Sequence, residues 1–199
     1  GMAADLFETY AITTIAAMFL GFALFQSSEN AVIYPLALGG VAIISSIIGT
    51  WFVKMGKSQN IMGALYKGLV VAGMLSAIAF YPITKLLMAG NGIYSVMNLF
   101  GSAIVGLLVT ALFVVITEYY TSTKYAPVKS IAKASLSGHG TNIIQGLAVS
   151  MKSTALPLLV IVAGILSAYE LAGIYGIAVA AMSMLSMAGI IVAIDSYGP

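Results

Sequence analysis

The chain has 199 residues, of which 61% are hydrophobic and only 7% are charged. A soluble domain carries about 25% charged residues. A soluble chain of this length could not hide so much apolar surface from water, so the composition indicates an integral membrane protein. All eight basic residues are lysines, and the lack of arginine argues against nucleic acid as a partner. The lack of cysteine excludes disulfides and thiolate metal sites.

Six apolar stretches follow one another along the chain, each long enough to cross about 30 Å of hydrocarbon. The predicted spans are residues 4–25, 31–53, 64–88, 94–116, 142–163 and 169–194. Small residues that recur on these segments, such as Gly106 and Ala180, predict close approach of helices. The predicted fold class is therefore an all-α, polytopic transmembrane helix bundle with about six spans, forming a single transmembrane domain over residues 1–199.

Local breaks separate the predicted spans. Residues 89–92 predict a turn, and Pro157 predicts a kink in the fifth span. Residues 120–141 are predicted as a loop, within which residues 128–136 could form a short amphipathic helix at the membrane interface. His139 is predicted to lie in this loop without a second histidine for metal binding, with Thr141 or Asn142 capping the next helix.

The distribution of lysines predicts the orientation in the membrane. Six crossings return the chain to its starting side, and only Lys85 then falls on the opposite side. The other seven lysines share the side of both chain ends: Lys54, Lys57, Lys67, Lys124, Lys129, Lys133 and Lys152. Because lysine-rich loops stay in the cytoplasm, both ends and the 120–141 loop are predicted to be cytoplasmic.

Only six acids occur, and two of them begin the first span. Asp5 and Glu8 lie on one helical face, which Thr9 shares. A carboxylate inside the bilayer costs several kcal/mol unless it is paired or hydrated, so this face could border a polar cavity with a cation from another helix. Two interfacial acids near a helix N-terminus would explain the same spacing, and the pattern alone leaves both interpretations open.

Asp195 ends the last predicted span, where a carboxylate is unfavourable beside the helix dipole. Either a cation or metal holds this side chain, or it is a solvated acid at a helix end. Glu118 and Glu170 are predicted as interfacial residues that end spans, and Glu29 as a loop residue. Spacing alone names no reaction.

Three strings, however, resemble membrane-bound, ion-pumping pyrophosphatases, in matching order and with plausible spacing. They are GMAADLFETY at residues 1–10, PVKSIAKASLSGHGTNIIQGLAVSMKSTALP at residues 127–157, and DSYGP at residues 195–199. The resemblance covers essentially the whole chain and implies an internal piece corresponding to helices six to eleven of sixteen. Within that family, the first string is most similar to bacterial proton-pumping members.

The resemblance implies hydrolysis of pyrophosphate in a cytoplasmic pocket with Mg²⁺, coupled to pumping of protons, with sodium as an alternative. It also implies a homodimer in the lipid bilayer of a bacterial inner membrane. Asp5 would belong to an ionic gate, Glu8 would carry the ion with Thr9 beside it, and Asp195 would line the catalytic pocket. No metal ligand is assigned within these residues, and dependence on K⁺ stays open. A secondary transporter or channel without hydrolysis, and a non-catalytic membrane scaffold, are the competing hypotheses.

Overall fold

The computed structural model describes residues 2–25, 28–54 and 61–197, without the side chains of residues 2, 3, 195 and 197. Lys57, which the orientation prediction uses, and residues 198–199 of the third string lie outside this part. The described residues contain helices and no strand, which confirms the all-α class. The helices are α1 (Met2–Leu24), α2 (Glu29–Trp51), α3 (Ile61–Met88), α4 (Val96–Thr121), α5 (Ala126–Ser135), α6 (His139–Ser153), α7 (Ala155–Leu185) and α8 (Ala188–Tyr197).

Five helical stretches in the described residues are long and apolar enough to cross a membrane, one fewer than the predicted number. They are Ala4–Leu24, Glu29–Trp51, Ile61–Met88, Val96–Ser135 and His139–Ile194. The fifth and sixth predicted spans fall in the last stretch, of 56 residues. The boundary predicted at residues 164–168 was wrong, because these residues are helical. The helix is interrupted instead at Ala172 and at Gly173, whose φ of 58° is left-handed.

The polar segment before this stretch contains more helix than predicted. The short helix expected at residues 128–136 is confirmed as α5. His139 is not in a loop but begins α6, and the residue before it, Gly138 with φ 129°, occupies the N-cap position. The capping prediction was therefore wrong: Thr141 donates its hydroxyl to the carbonyls of Ala134 and Gly138 at 2.9 and 2.8 Å.

Pro157 lies in the first turn of α7 and does not kink a continuous span. Helix α6 ends at Ser153 and α7 begins at Ala155, so the interruption falls at Thr154. In a first helical turn the missing proline N–H has no intrahelical acceptor to lose. The predicted disruption therefore appears as a boundary between two helices.

The chain forms two compact units, Gly1–Leu108 with Ile165–Pro199, and Val109–Gly164. In the first unit, neighbouring helices α1 and α2 run antiparallel, because Gly21 packs against the Ala31 carbonyl while Tyr10 packs against Gly39. Helices α2 and α3 also run antiparallel, because Tyr34 contacts Thr84 near the far end of α3.

The part of α7 after Gly173 runs parallel to α2. The Tyr175 hydroxyl contacts Ala31 near the start of α2, and Met182 lies beside Gly39 further along it. This half of α7 therefore ends where α1 begins, and α8, which follows, contacts α1, α2 and α3. The start of α1 and helix α8 thus lie at the same end of the first unit.

A buried proline in α2 is compensated by a tyrosine from α7. Pro35 has no N–H, so the carbonyl of Ala31, four residues earlier, loses its helical donor. The Tyr175 hydroxyl donates to this carbonyl at 2.7 Å, and both residues are fully buried. Because an unpaired buried carbonyl is costly, this hydrogen bond joins α2 and α7 at a point where α2 alone is incomplete.

The turn predicted at residues 89–92 is confirmed, and Asn91 organises it. Its side-chain NH₂ donates to the carbonyls of Met88 and Tyr94 at 2.7 and 2.8 Å, and its Oδ1 accepts from two backbone N–H groups. Gly90 and Gly92 take left-handed φ values of 84° and 74°. This turn fixes the connection between α3 and α4.

Candidate functional site

Helix α1 has one packed face and one open face, and the acids lie on the open one. Thr14, Ala17 and Gly21 are buried on the packed side. At about 100° per residue, Asp5 and Glu8 lie roughly opposite these positions, and both side chains are exposed. The structure therefore keeps both carboxylates on one face that no other described helix covers.

Thr9, which was predicted to share the acidic face, forms a hydrogen bond within α1. Thr9 is exposed on the same helix, but its hydroxyl donates to the backbone carbonyl of Asp5 at 2.9 Å. The hydroxyl proton of Thr9 is therefore bonded within the helix, as is common for threonines in transmembrane helices. Its lone pairs stay open to a neighbouring group.

No basic residue within α1 can neutralise these acids, because the helix contains neither lysine nor arginine. A carboxylate inside a bilayer requires a cation, a hydrogen-bond donor or water. Any cation that pairs with Asp5 or Glu8 must therefore come from outside α1.

Asp195 lies near the end of α8, in the helix that contacts α1, α2 and α3. Ile190, five residues before it, is buried near Gly68 in the first turns of α3. The structure thus brings the helix of Asp195 to the end of the first unit where α1 begins. The Asp195 side chain lies outside the described atoms.

The described residues contain no group of three or more histidine, cysteine or acidic side chains that could hold a metal ion. Magnesium prefers six oxygen ligands in near-octahedral geometry. Asp5 and Glu8 alone supply too few ligands, so these residues do not fit a magnesium site by themselves.

The remaining acids and the histidine lie on other helices. Glu29 is the first residue of α2, where a negative charge interacts favourably with the helix dipole. It was predicted as a loop residue, and this prediction was wrong. Glu118 is half-buried near the end of α4, and Glu170 is exposed two residues before the break in α7. His139 is exposed at the start of α6.

A contact that the sequence analysis did not identify lies behind the acidic face. A Cβ added to Gly39 would overlap the Tyr10 hydroxyl and lie 2.7 Å from the Met182 methyl group. One turn after Tyr10, the Thr14 hydroxyl donates to the Tyr10 carbonyl at 2.7 Å and lies 3.2 Å from the Met182 sulfur. The glycine pair at positions 39 and 40 inside a predicted span was the available signal, since glycines allow close helix approach in lipid.

The sequence matches the family described as "Inorganic H+ pyrophosphatase" over residues 1–199. It is 54% identical over 177 residues to the "Pyrophosphate-energized proton pump 2" of Mycoplana dimorpha, covering 85% of each chain. It is 48% identical to the "K(+)-insensitive pyrophosphate-energized proton pump" of Methanosarcina mazei, and 44% identical to a similarly named pump 2 of Moorella thermoacetica. All of this chain aligns with these last two relatives, but it spans only 30% of their length.

Proposed function

Because this chain belongs to the inorganic H⁺ pyrophosphatase family, we propose that it is part of a membrane pyrophosphatase that couples hydrolysis of pyrophosphate to proton pumping. The activity is assigned to the full-length pump, since the chain spans 30% of two of its relatives. The names of the relatives favour protons over sodium, and a hydrolytic pump over a secondary transporter or a scaffold.

The observation that carries the proposal is the open acidic face of α1. Asp5 and Glu8 are exposed on one side of a helix that is otherwise apolar enough to cross a membrane. Such acids in membrane proteins mark ion pathways more often than they serve packing. This arrangement fits residues that border a hydrated path completed by other helices of the pump.

The mechanism uses the two acids in sequence. Pyrophosphate hydrolysis changes the charge of the cytoplasmic pocket, and this change alters the cation pairing of Asp5. Glu8, about one turn further along α1, then releases its proton towards the opposite side. Moving one charge against 100 mV costs about 2.3 kcal/mol, which hydrolysis of a phosphoanhydride supplies.

Asp195 is proposed to line the pocket that faces this path, since α8 contacts α1. Mg²⁺, which the family resemblance implies, neutralises phosphate charge in such pockets when it is bound. Its ligands are proposed to come from parts of the pump other than Asp5 and Glu8.

The proposed setting is the inner membrane of a bacterium, where the pump forms a homodimer in the lipid bilayer. The positive-inside rule places the lysine-rich side, both ends of this chain and residues 120–141 in the cytoplasm. Two relatives are named K⁺-insensitive, and we extend this property to the present pump.

Proton uptake by inside-out vesicles tests this function. Vesicles that contain the full-length pump should acidify when pyrophosphate and Mg²⁺ are added without Na⁺ or K⁺, and a protonophore should abolish the gradient. Hydrolysis without acidification would contradict the pump, and acidification that requires Na⁺ would contradict the choice of ion.

A further inference from the structure

We propose that Tyr10 is a positioning residue that sets the rotation of α1 about its axis. It does so by packing against the Cα of Gly39, which carries no side chain, and we call this contact the Tyr10 seat. This inference rests on the proposed function, because its consequence is the direction in which the proton-carrying acid points. Nothing in the roles of Asp5, Glu8 or Asp195 requires this contact, so it adds a residue to the coupling machinery.

The contact between Tyr10 and Gly39 leaves no room for another atom. A Cβ on Gly39 would overlap the Tyr10 hydroxyl and lie 3.1 Å from the ring carbon that bears it. Tyr10 itself is half-buried, while Gly39 is fully packed. A tyrosine ring turns about only two side-chain bonds, so it has fewer ways to move aside than a long aliphatic side chain.

Helix geometry connects this seat to the acids. Tyr10 follows Glu8 by two residues, which places the two side chains about 200° apart around the helix axis. Fixing the tyrosine against α2 therefore directs Glu8 to the opposite side. A rotation of α1 that displaced Tyr10 would turn Glu8 away from its present direction by the same angle.

The seat also connects α1 to α7. The Met182 methyl group lies beside Gly39, and the Met182 sulfur lies 3.2 Å from the Thr14 hydroxyl, which also donates to the Tyr10 carbonyl at 2.7 Å. Helix α8, which carries Asp195, begins soon after α7 ends. The contacts of Met182 therefore connect α1, which bears Glu8, to the part of α7 that leads to α8. A displacement of α7 would therefore also displace α1 through the contacts of Met182.

The chain offers a matched pair of substitutions for the test. Gly39→Ala adds the Cβ that overlaps the Tyr10 hydroxyl, whereas Gly40→Ala adds a Cβ with no atom within 4 Å. Both changes raise helix propensity equally. The double variant Gly39→Ala with Tyr10→Phe removes the overlapping hydroxyl and provides the rescue.

The measurement is the number of protons taken up per pyrophosphate hydrolysed by the full-length pump in vesicles. Gly39→Ala should lower this ratio by about tenfold or more while hydrolysis continues, because a misplacement of about 1 Å in a reacting geometry can cost up to about 100-fold. Tyr10→Phe, which keeps the ring but lacks the hydroxyl, is measured as the reference for the rescue, and Gly40→Ala should keep the wild-type ratio. The double variant should recover at least half of it.

An unchanged ratio in Gly39→Ala, or an equal loss in Gly40→Ala, would overturn the inference. If Gly39→Ala fails to fold, the double variant must restore both the folded yield and the ratio. A double variant that does neither would overturn the inference as well. A wild-type pump that takes up no protons would refute the proposed function itself, so the two failures are distinguishable.

Discussion

The Ala31 carbonyl shows how a single residue type creates a requirement elsewhere in the chain. Pro35 removes the N–H that this carbonyl would accept, and Tyr175, 144 residues away, supplies a hydroxyl in its place. The proline was visible in the sequence and predicts an orphan carbonyl four residues earlier. The identity of the donor could not be predicted, because it depends on the packing of α7 against α2.

Replacement of Tyr175 by phenylalanine should therefore lower stability. The change leaves the Ala31 carbonyl buried and unpaired, which costs about 1–3 kcal/mol. The thermal unfolding midpoint of the pump in detergent should fall accordingly. Tyr169→Phe, at an exposed tyrosine six residues earlier in α7, is the control and should leave it unchanged.

A double substitution isolates the cause. In a Pro35→Ala background the new N–H at residue 35 can bond to the Ala31 carbonyl, so Tyr175→Phe should cost less there. An equal loss of stability in both backgrounds would show that Tyr175 contributes through packing and not through this hydrogen bond.

The shared helical face of Asp5 and Glu8 was predicted from the sequence, while the roles given to these residues stay predictions. The spacing of Asp5 and Glu8 placed both on one helical face, and the structure has both exposed on α1. The bond from Thr9 to the Asp5 carbonyl could not be predicted, because a threonine hydroxyl has several possible acceptors in a helix. The Tyr10 seat was missed because it depends on the register between α1 and α2, which hydrophobic periodicity does not fix.

At the scale of helices, the strongest sequence signal was apolar length. It predicted the first three spans to within about three residues, whereas α4 runs to Thr121, beyond the predicted end at residue 116. The signal failed between residues 163 and 169, where the predicted boundary, which includes Gly164, is helical. A glycine permits a break without requiring one. The helix is interrupted at Gly173 instead, where the Tyr94 hydroxyl fills the space beside the glycine Cα.

Small residues predicted close helix approach without naming the partners, and the structure places Gly106 of α4 against Ala180 of α7, where the packing can be tested. A Cβ there would overlap the Ala180 carbonyl, a backbone atom that cannot rotate away. Gly106→Ala should therefore destabilise the pump by about 1–3 kcal/mol, the usual cost of overpacking. The midpoint of thermal unfolding in detergent is the measurement.

Gly146→Ala provides the control for this element. It adds the same methyl group within α6, with no atom within 4 Å of the new Cβ. Its unfolding midpoint should match or exceed that of the wild type, because alanine favours a helix. Equal losses in the two variants would refute the packing explanation for Gly106.

At the scale of the whole molecule, the orientation prediction makes opposite claims about individual lysines. Lys54 and Lys124 are assigned to the cytoplasmic side and Lys85 to the opposite side, and all three are exposed. The chain contains no cysteine, so a single introduced cysteine can report the side of each position without interference from this segment.

A membrane-impermeant maleimide should label Lys54→Cys and Lys124→Cys in inside-out vesicles, where the cytoplasmic surface faces outward. Lys85→Cys should be labelled only in right-side-out vesicles or after the membrane is permeabilised. Labelling of Lys124→Cys and Lys85→Cys from the same side would contradict the proposed topology.

The central claim is that hydrolysis drives protons through the acidic face of α1, and Glu8 tests it most directly. Glu8→Gln keeps the size of the side chain but removes the group that gains and loses the proton. Glu29→Gln, at an exposed acid on α2, is the matched control. In vesicles of the full-length pump, pyrophosphate should drive no acidification in Glu8→Gln and normal acidification in Glu29→Gln. Unaltered acidification in Glu8→Gln would contradict the claim.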